Sequence, residues 1–523
     1  MLAIEIHDVK KEIADRVLFE IPHLTANRGQ RIGIVGRNGL GKTTLLEILA
    51  GVATADQGGI TRNGTVGYLP QILPEDARLS GGEKMRKAVQ RILAEQPNLL
   101  FADEPTSNLD VDSVKHLERQ WKRYAGTLFV ISHDRAFLNA ICTTIWELDQ
   151  QKITVYAGNY EAYETAKAKE RDQAMAGYEQ YNAKKKQLEE AKSHREKTAH
   201  GLRTPNKRFN SKEIRSAKPG KGVQEKKQHK LVKAIDQRIE RLEKVDKPFQ
   251  QKSIKITLPE ANQIKQGNTV IRATQLAAKA GKRALFSDAT FSLKSGEKIA
   301  LIGKNASGKT TFLRQVIAGN VAIQLGEKVK IGYFDQQLKQ VDLTKTLWEN
   351  IQAVSVHDDQ MNRDCLGSLQ FTADDLPKDT NVLSGGERVK LALAMILLSD
   401  ANVLILDEPT NYLDINAMKA LEELISGYSG TVLFVSHDRT FVRKVATNLL
   451  VLEDEKLQLF AGNYAEWEDA KQTKTTRVQE DTLLLELEMS AIAAKLMEPR
   501  LKAAEKAELE QRYQEVAAKR KIR

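Results

Sequence analysis

The same ordered set of short motifs occurs twice in this 523-residue chain, and that duplication limits its fold more than any other feature. The first copy reads Gly36-Arg-Asn-Gly-Leu-Gly41-Lys42-Thr43-Thr44, Tyr68-Leu-Pro-Gln71, Leu79-Ser80-Gly81-Gly82-Glu83, Leu99 to Pro105, Ser107-Asn-Leu-Asp110 and Ile131-Ser-His133-Asp134. The second reads Gly303-Lys-Asn-Ala-Ser-Gly308-Lys309-Thr310-Thr311, Tyr333-Phe-Asp-Gln336, Leu383-Ser384-Gly385-Gly386-Glu387, Leu404 to Pro409, Asn411-Tyr-Leu-Asp414 and Val435-Ser-His437-Asp438. Each copy opens on G-x-x-x-x-G-K-T, a glycine-rich turn whose backbone amides and lysine cradle phosphate oxygens. A single such turn arises by chance; six motifs repeated in one order do not.

The apolar runs around these motifs set the fold class. Arg31 to Val35 and Lys298 to Ile302 end in the glycine-rich loops, and helical patterns follow from Lys42 and Lys309. Leu99 to Ala102, Thr127 to Ile131, Val403 to Leu406 and Thr431 to Val435 read as buried strands. The expectation is α/β: two tandem P-loop nucleotide-binding domains joined by an antiparallel helical hairpin, with a C-terminal helical extension. The predicted boundaries are 1–159, 160–250 with a tip at about 201–222, 251–470 and 471–523. The motif lysines lie 267 residues apart, but the glycine-rich Ser80 and Ser384 motifs lie 304 apart. The second copy therefore holds an insertion after Gln336. Residues 337–382 have the length for a small helical subdomain, whereas 72–78 make little more than a turn.

The chemistry assigns roles residue by residue. Gly36, Asn38, Gly39, Gly41 and Thr44, with Gly303, Asn305, Gly308 and Thr311, are predicted to line the nucleotide. Lys42 and Lys309 reach the β- and γ-phosphates, while Thr43 and Thr310 ligate Mg²⁺. Asp103 and Asp407 end apolar strands and hold the same ion; Glu104 and Glu408 activate the attacking water. Gln71 and Gln336 sense metal and water, and His133 and His437 contact the γ-phosphate. One departure is Ala306, standing where the first copy has Gly39. No aromatic residue occurs between Asp8 and Val17 or between Ala277 and Leu285 to stack on a base, and Phe19 and Phe286 read as core strand residues.

Charge is concentrated between the copies. The net charge is +11, yet residues 167–250 hold 24 Lys or Arg against 12 Asp or Glu. Residues from Tyr160 to about His200, and again from about Gln224 to Val245, favour helix, with Gly201, Pro205, Pro219 and Gly220 as breakers. A charge run is ordinarily a solvated helix face. Here Arg203, Lys207, Arg208, Phe209 and Arg215 at the tip, with Lys226, Lys227 and Lys230, suit a nucleic acid: cations neutralise phosphates and Phe209 stacks on a base. Two cysteines without ligand spacing point to a reduced, cytosolic protein. Neither a signal peptide nor a membrane helix is expected.

On these motifs both halves resemble ATP-binding-cassette nucleotide-binding domains. That resemblance implies two ATP molecules sandwiched head to tail, Lys42, Asp103 and Glu104 working with Ser384 and Gly386, and Lys309, Asp407 and Glu408 with Ser80 and Gly82. Paired cassettes joined by a charged helical linker resemble the ABC-F family. The short 72–78 connection, the long tip, and Ser132-His-Asp-Arg-Ala-Phe-Leu138 with Cys142-Thr-Thr-Ile-Trp146 are similar to its Vga-type antibiotic-resistance branch. The resemblance implies a cytoplasmic, monomeric ATPase with two ATP sites and Mg²⁺. It would bind the bacterial 50S subunit at the exit site, touching 23S rRNA and P-site tRNA, and protect the peptidyl-transferase centre from lincosamides, streptogramin A and pleuromutilins. A housekeeping ABC-F translation factor that rescues stalled ribosomes is one alternative; the ATPase subunit of an efflux transporter is another. Residues 479–523 are expected to form a helical hairpin around Pro499.

Overall fold

The computed structural model describes residues 1–13, 16–72, 81–107, 109–203, 218–242, 244, 255–335, 338–411, 413–496 and 509–517. The first half runs β1 (Leu2–Ile13), β2 (Arg16–Asn27), β3 (Arg31–Val35), α1 (Lys42–Ala50), β4 (Gln57–Arg62), β5 (Val66–Leu69), α2 (Gly81–Ala94), β6 (Leu99–Asp103), α3 (Val111–Arg123), β7 (Thr127–Ile131), α4 (Arg135–Ile141), β8 (Thr144–Asp149) and β9 (Lys152–Ala157). Two linker helices follow, α5 (Tyr160–Arg203) and α6 (Lys218–Glu240). The second half runs β10 (Thr269–Ala280), β11 (Arg283–Lys294), β12 (Lys298–Gly303), α7 (Lys309–Ala318), β13 (Ile323–Leu325), β14 (Ile331–Phe334), α8 (Leu347–Gln352), α9 (Asp359–Ser368), α10 (Gly385–Leu397), β15 (Val403–Asp407), α11 (Ile415–Gly427), β16 (Thr431–Val435), α12 (Arg439–Val445), β17 (Asn448–Glu453) and β18 (Lys456–Phe460), and α13 (Tyr464–Leu496) follows.

Each half contains a six-stranded sheet, ordered β5-β6-β7-β3-β8-β9 and β14-β15-β16-β12-β17-β18. Strands β6, β7, β15 and β16 are buried at every position because helices cover both faces of a parallel sheet. The two glycine-rich loops leave β3 and β12 at the sheet centres, with β7 and β16 lying between them and the strands that end in Asp103 and Asp407. A three-stranded antiparallel sheet, β2-β1-β4 or β11-β10-β13, packs beside each. Phe19 and Phe286 are buried in these cores.

The insertion of the second copy is helical. α8 and α9 bury Leu347, Ile351, Cys365 and Leu366 against α10 and α11. Thr346 and Glu349 start α8 with a capping box, satisfying two backbone donors of its first turn.

α5 has 44 residues, about 66 Å of helix at 1.5 Å per residue. α6 runs against it, and Lys192 of α5 bonds Asp236 of α6 at 2.7 Å. The second helix starts earlier than the breaker pattern predicts, since Pro219 and Gly220 fall in its first turn. Proline is compatible there because its missing N–H has no partner in a first turn. The root of α5 is fixed to both halves. Tyr163 donates to Glu147 at 2.8 Å and Lys167 pairs with Glu147 at 2.8 Å in the first half, and Lys419 of α11 reaches Glu164 at 2.6 Å. At the C-terminus α13 begins at Tyr464, before the predicted hairpin, and residues 509–517 are helical, with Arg512 3.0 Å from Glu488.

Candidate nucleotide sites

Both glycine-rich loops are shaped by close backbone approaches. A Cβ on Gly36 would lie 2.5 Å from the Leu148 carbonyl oxygen, and one on Gly303 2.6 Å from that of Leu452. Gly41 and Gly308 precede α1 and α7 at φ 89° and 112°, in the left-handed region that favours glycine. Ala306 holds the same region as Gly39, at φ 57° against 78°, so the second loop carries strain that the first does not.

The lysines curl over these loops. Lys42 Nζ donates to the carbonyls of Gly36 and Arg37, each at 2.9 Å, and Lys309 Nζ to those of Gly303 and Lys304 at 2.9 and 3.0 Å. Burial lowers the pKa of both ammonium groups against the opposing pull of Glu104 and Glu408. Thr43 and Thr310 hydrogen-bond the carboxylates of Asp103 and Asp407, whose pKa values burial raises. Thr44 and Thr311 follow on α1 and α7, while Gln71 lies just after β5.

The acid following each strand is held in an unusual backbone conformation. Glu104 and Glu408 have φ of 48° and 53°, positions that L-residues rarely occupy and that cluster at functional sites. Their amides are tied to Ile131 and Val435 at 2.9 and 3.0 Å. Each carboxylate accepts from the backbone amide of its histidine, His133 or His437, at 3.3 Å; His133 Nε2 lies 3.4 Å from Glu104 Oε1 and His437 Nε2 3.2 Å from Glu408 Oε1. Burial, with the neighbouring Asp103, pushes Glu104 up to about 8. Burial pushes Glu408 up to about 7. Burial, with the nearby lysine, brings both histidines down to about 4, so the imidazoles are neutral near pH 7.

The two halves face each other head to tail. The Asn38 amide donates to Asp414 Oδ2 at 3.3 Å and the Asn305 amide to Asp110 Oδ2 at 3.4 Å. Each aspartate also caps its own helix, accepting from Ser113 or Ala417. Arg37 lies near Lys390 on α10, the helix that Ser384 caps in a capping box with Glu387. Gly386 is in its first turn, as Gly82 is in that of α2. Ser80 and Gln336 lie outside the described residues. So do Lys207, Arg208, Phe209 and Arg215, and the side chains of Arg203 and Lys226; Lys227 and Lys230 are exposed on α6. Sequence reasoning gave no role to Asp110 and Asp414, because a contact between halves leaves no signal in the spacing of one copy. It also missed Arg135 and Arg439, which cross the same boundary.

A family model described as ABC transporter matches residues 19–71 and 286–411. The ribosome protection protein VmlR of Bacillus subtilis (strain 168) is 30% identical over 484 residues, covering 86% of this chain and 87% of that protein. The energy-dependent translational throttle protein EttA of Escherichia coli (strain K12) is 33% identical over 415 residues, covering 77% and 69%. This chain belongs to the ABC-F family. The fold is also that of an archaeal ribosome recycling factor solved with stalk protein aP1, at TM-score 0.59 and 19% identity, covering 89% of this chain and 92% of that one. As an ABC-F protein the chain is an ATPase, and ABC domains of this kind bind ATP with Mg²⁺. The residues present fit that ion. Threonine hydroxyls and carboxylates are hard oxygen donors, and Asp103 Oδ2 is buried without a hydrogen-bond partner. Among the described residues of this ABC-F chain, no helix is long and apolar enough to cross a membrane.

Proposed function

We propose that this ATPase binds two ATP molecules, one at Lys42, Thr43, Asp103 and Glu104 facing Ser384 and Gly386, the other at Lys309, Thr310, Asp407 and Glu408 facing Ser80 and Gly82. Mg²⁺, held by Thr43 and Asp103 or by Thr310 and Asp407, supplies charge neutralisation at the phosphates. Glu104 and Glu408 orient the attacking water and take its proton, and the neutral histidines hold the γ-phosphate end. The 1–159, 160–250, 251–470 and 471–523 division serves this arrangement: two motor units, a lever and an extension.

The work goes to the bacterial 50S subunit. We infer that the chain binds near the exit site, contacts 23S rRNA and P-site tRNA through the linker, and clears lincosamide, streptogramin A and pleuromutilin drugs from the peptidyl-transferase centre. The observation that carries this reading is α5, a lever of 44 residues that opens the basic linker and whose root is bonded to both halves. The likeness to VmlR supports it, and Phe209 is assigned as the stacking residue of the tip. The likeness to EttA favours a second reading, a housekeeping factor that acts on stalled ribosomes without any drug.

Sedimentation tests ribosome binding. Protein carrying Glu104→Gln and Glu408→Gln should pellet with 50S-containing ribosomes in ATP and be released in ADP. Equal amounts free of ribosomes in both nucleotides would rule out the reading. Loss of drug protection in Phe209→Ala, with ATPase activity kept, would select protection over the housekeeping role.

A further inference from the structure

Two arginines, Arg135 buried and Arg439 partly buried, cross between the halves in a reciprocal pattern. Arg135, the first residue of α4, is 3% exposed and pairs with Glu422 of α11 and, at 3.4 Å, with Asp438. Arg439, the first residue of α12, pairs with Glu118 of α3 and, at 3.8 Å, with Asp134. Asp134 and Asp438 are the caps that follow His133 and His437. Each uses Oδ1 to accept backbone amides of its own helix and Oδ2 to face the arginine of the other half.

We propose that Arg135 and Arg439 are positioning residues that couple hydrolysis at the two sites, each tying its own histidine segment to the histidine segment of the other half. Burying a guanidinium between carboxylates carries a heavy desolvation cost, and apolar residues fill such space at less cost. What the ion pairs supply instead is a fixed geometry, because charge-assisted bonds to a rigid guanidinium do not tolerate sliding as an apolar contact does. The path between the two sites is short. His133 is bonded to Glu104 through its amide; the next residue, Asp134, faces Arg439, which is two residues from His437. A displacement at either γ-phosphate end therefore reaches the other site through two ion pairs. α11 adds a second path, since its cap Asp414 touches the Asn38 loop while its Glu422 holds Arg135.

This inference rests on Glu104 and Glu408 being the hydrolytic carboxylates, and a single-site design separates the two ideas. Full-length Glu408→Gln protein hydrolyses only at Glu104, and Glu104→Gln/Glu408→Gln is the blank. Adding Arg439→Ala, whose own site is already silent, should lower kcat at the Glu104 site about tenfold while the KM for ATP moves less than about twofold. Arg135→Ala in the Glu104→Gln background should act the same way on the other site. Should Arg439→Ala fail to fold, Glu118→Gln removes a partner of Arg439 without touching either site, and a loss of about threefold in kcat at an unchanged melting temperature is expected. Turnover within twofold of the single-site parent in these variants would overturn the coupling. Turnover in the blank would overturn the site assignment and this proposal with it.

Discussion

The carboxylate of Asp414 accepts a hydrogen bond from the backbone amide of Asn38 at 3.3 Å, across 376 residues of sequence, while the same side chain caps α11. One group thus ends a helix in the second half and touches the phosphate loop of the first. Asp110 and Asn305 repeat the relationship at 3.4 Å.

The two roles separate by substitution. Asp414→Asn keeps an oxygen for the cap and gives up the charge facing Asn38, so kcat/KM should fall about fivefold with the melting temperature nearly unchanged. Asp414→Ala should add the loss of a cap, about 1 kcal/mol of stability. Steady-state kinetics beside thermal melts check both; equal melting temperatures for the two variants would contradict the capping role.

The pH profile follows from the raised carboxyl pKa values. In the proposed role of taking the water's proton, Glu104 and Glu408 must be ionised, and their folded values are about 8 and about 7. Activity as kcat/KM should therefore rise with pH through 7 and level off above about 8, because that ratio reports the free enzyme. The same groups affect stability with the opposite sense. Folding raises Glu104 from its ordinary 4.5 to about 8, so the folded state holds a proton that the unfolded chain releases, and this contribution to stability is lost as pH rises through that window. Glu104→Gln should flatten that part of the melting-temperature profile.

The strands ending in Asp103 and Asp407 were legible in the sequence because four apolar residues before an acid leave little choice but a covered parallel strand. The helical insertion was legible from the difference in spacing between the two copies. Pro219 misled, because a proline in a first turn looks in sequence like one in a loop. Nothing in the sequence pointed to a role for Arg135 and Arg439, two residues after His133 and His437, since their acidic partners lie about 300 residues away and only the pairing of the halves brings them within reach.

Strain at Ala306 predicts opposite outcomes for mirror substitutions. Gly39→Ala puts a Cβ into open space at φ 78°, so it should cost about 1 kcal/mol from the backbone alone. Ala306→Gly relieves the same strain and should raise the melting temperature of the second half slightly. Calorimetry showing shifts in one direction for both would contradict the backbone argument.

Linker charge should set the salt dependence of ribosome binding. If Lys226, Lys227 and Lys230 neutralise phosphates, changing all three to Gln should weaken binding and reduce the slope of log K against log salt by about one per lysine lost. Filter binding across a salt series measures this. An unchanged slope would mean that these lysines only solvate α6.

A drug-susceptibility panel tests the central claim most directly, run in one bacterial host carrying no protein, the wild type, or Glu104→Gln/Glu408→Gln. The account predicts raised inhibitory concentrations for lincosamide, streptogramin A and pleuromutilin drugs with the wild type alone, and none with the double variant expressed at the same level. Equal susceptibility with and without the wild-type protein would contradict drug protection and leave the housekeeping reading; protection by the double variant would contradict the dependence on hydrolysis.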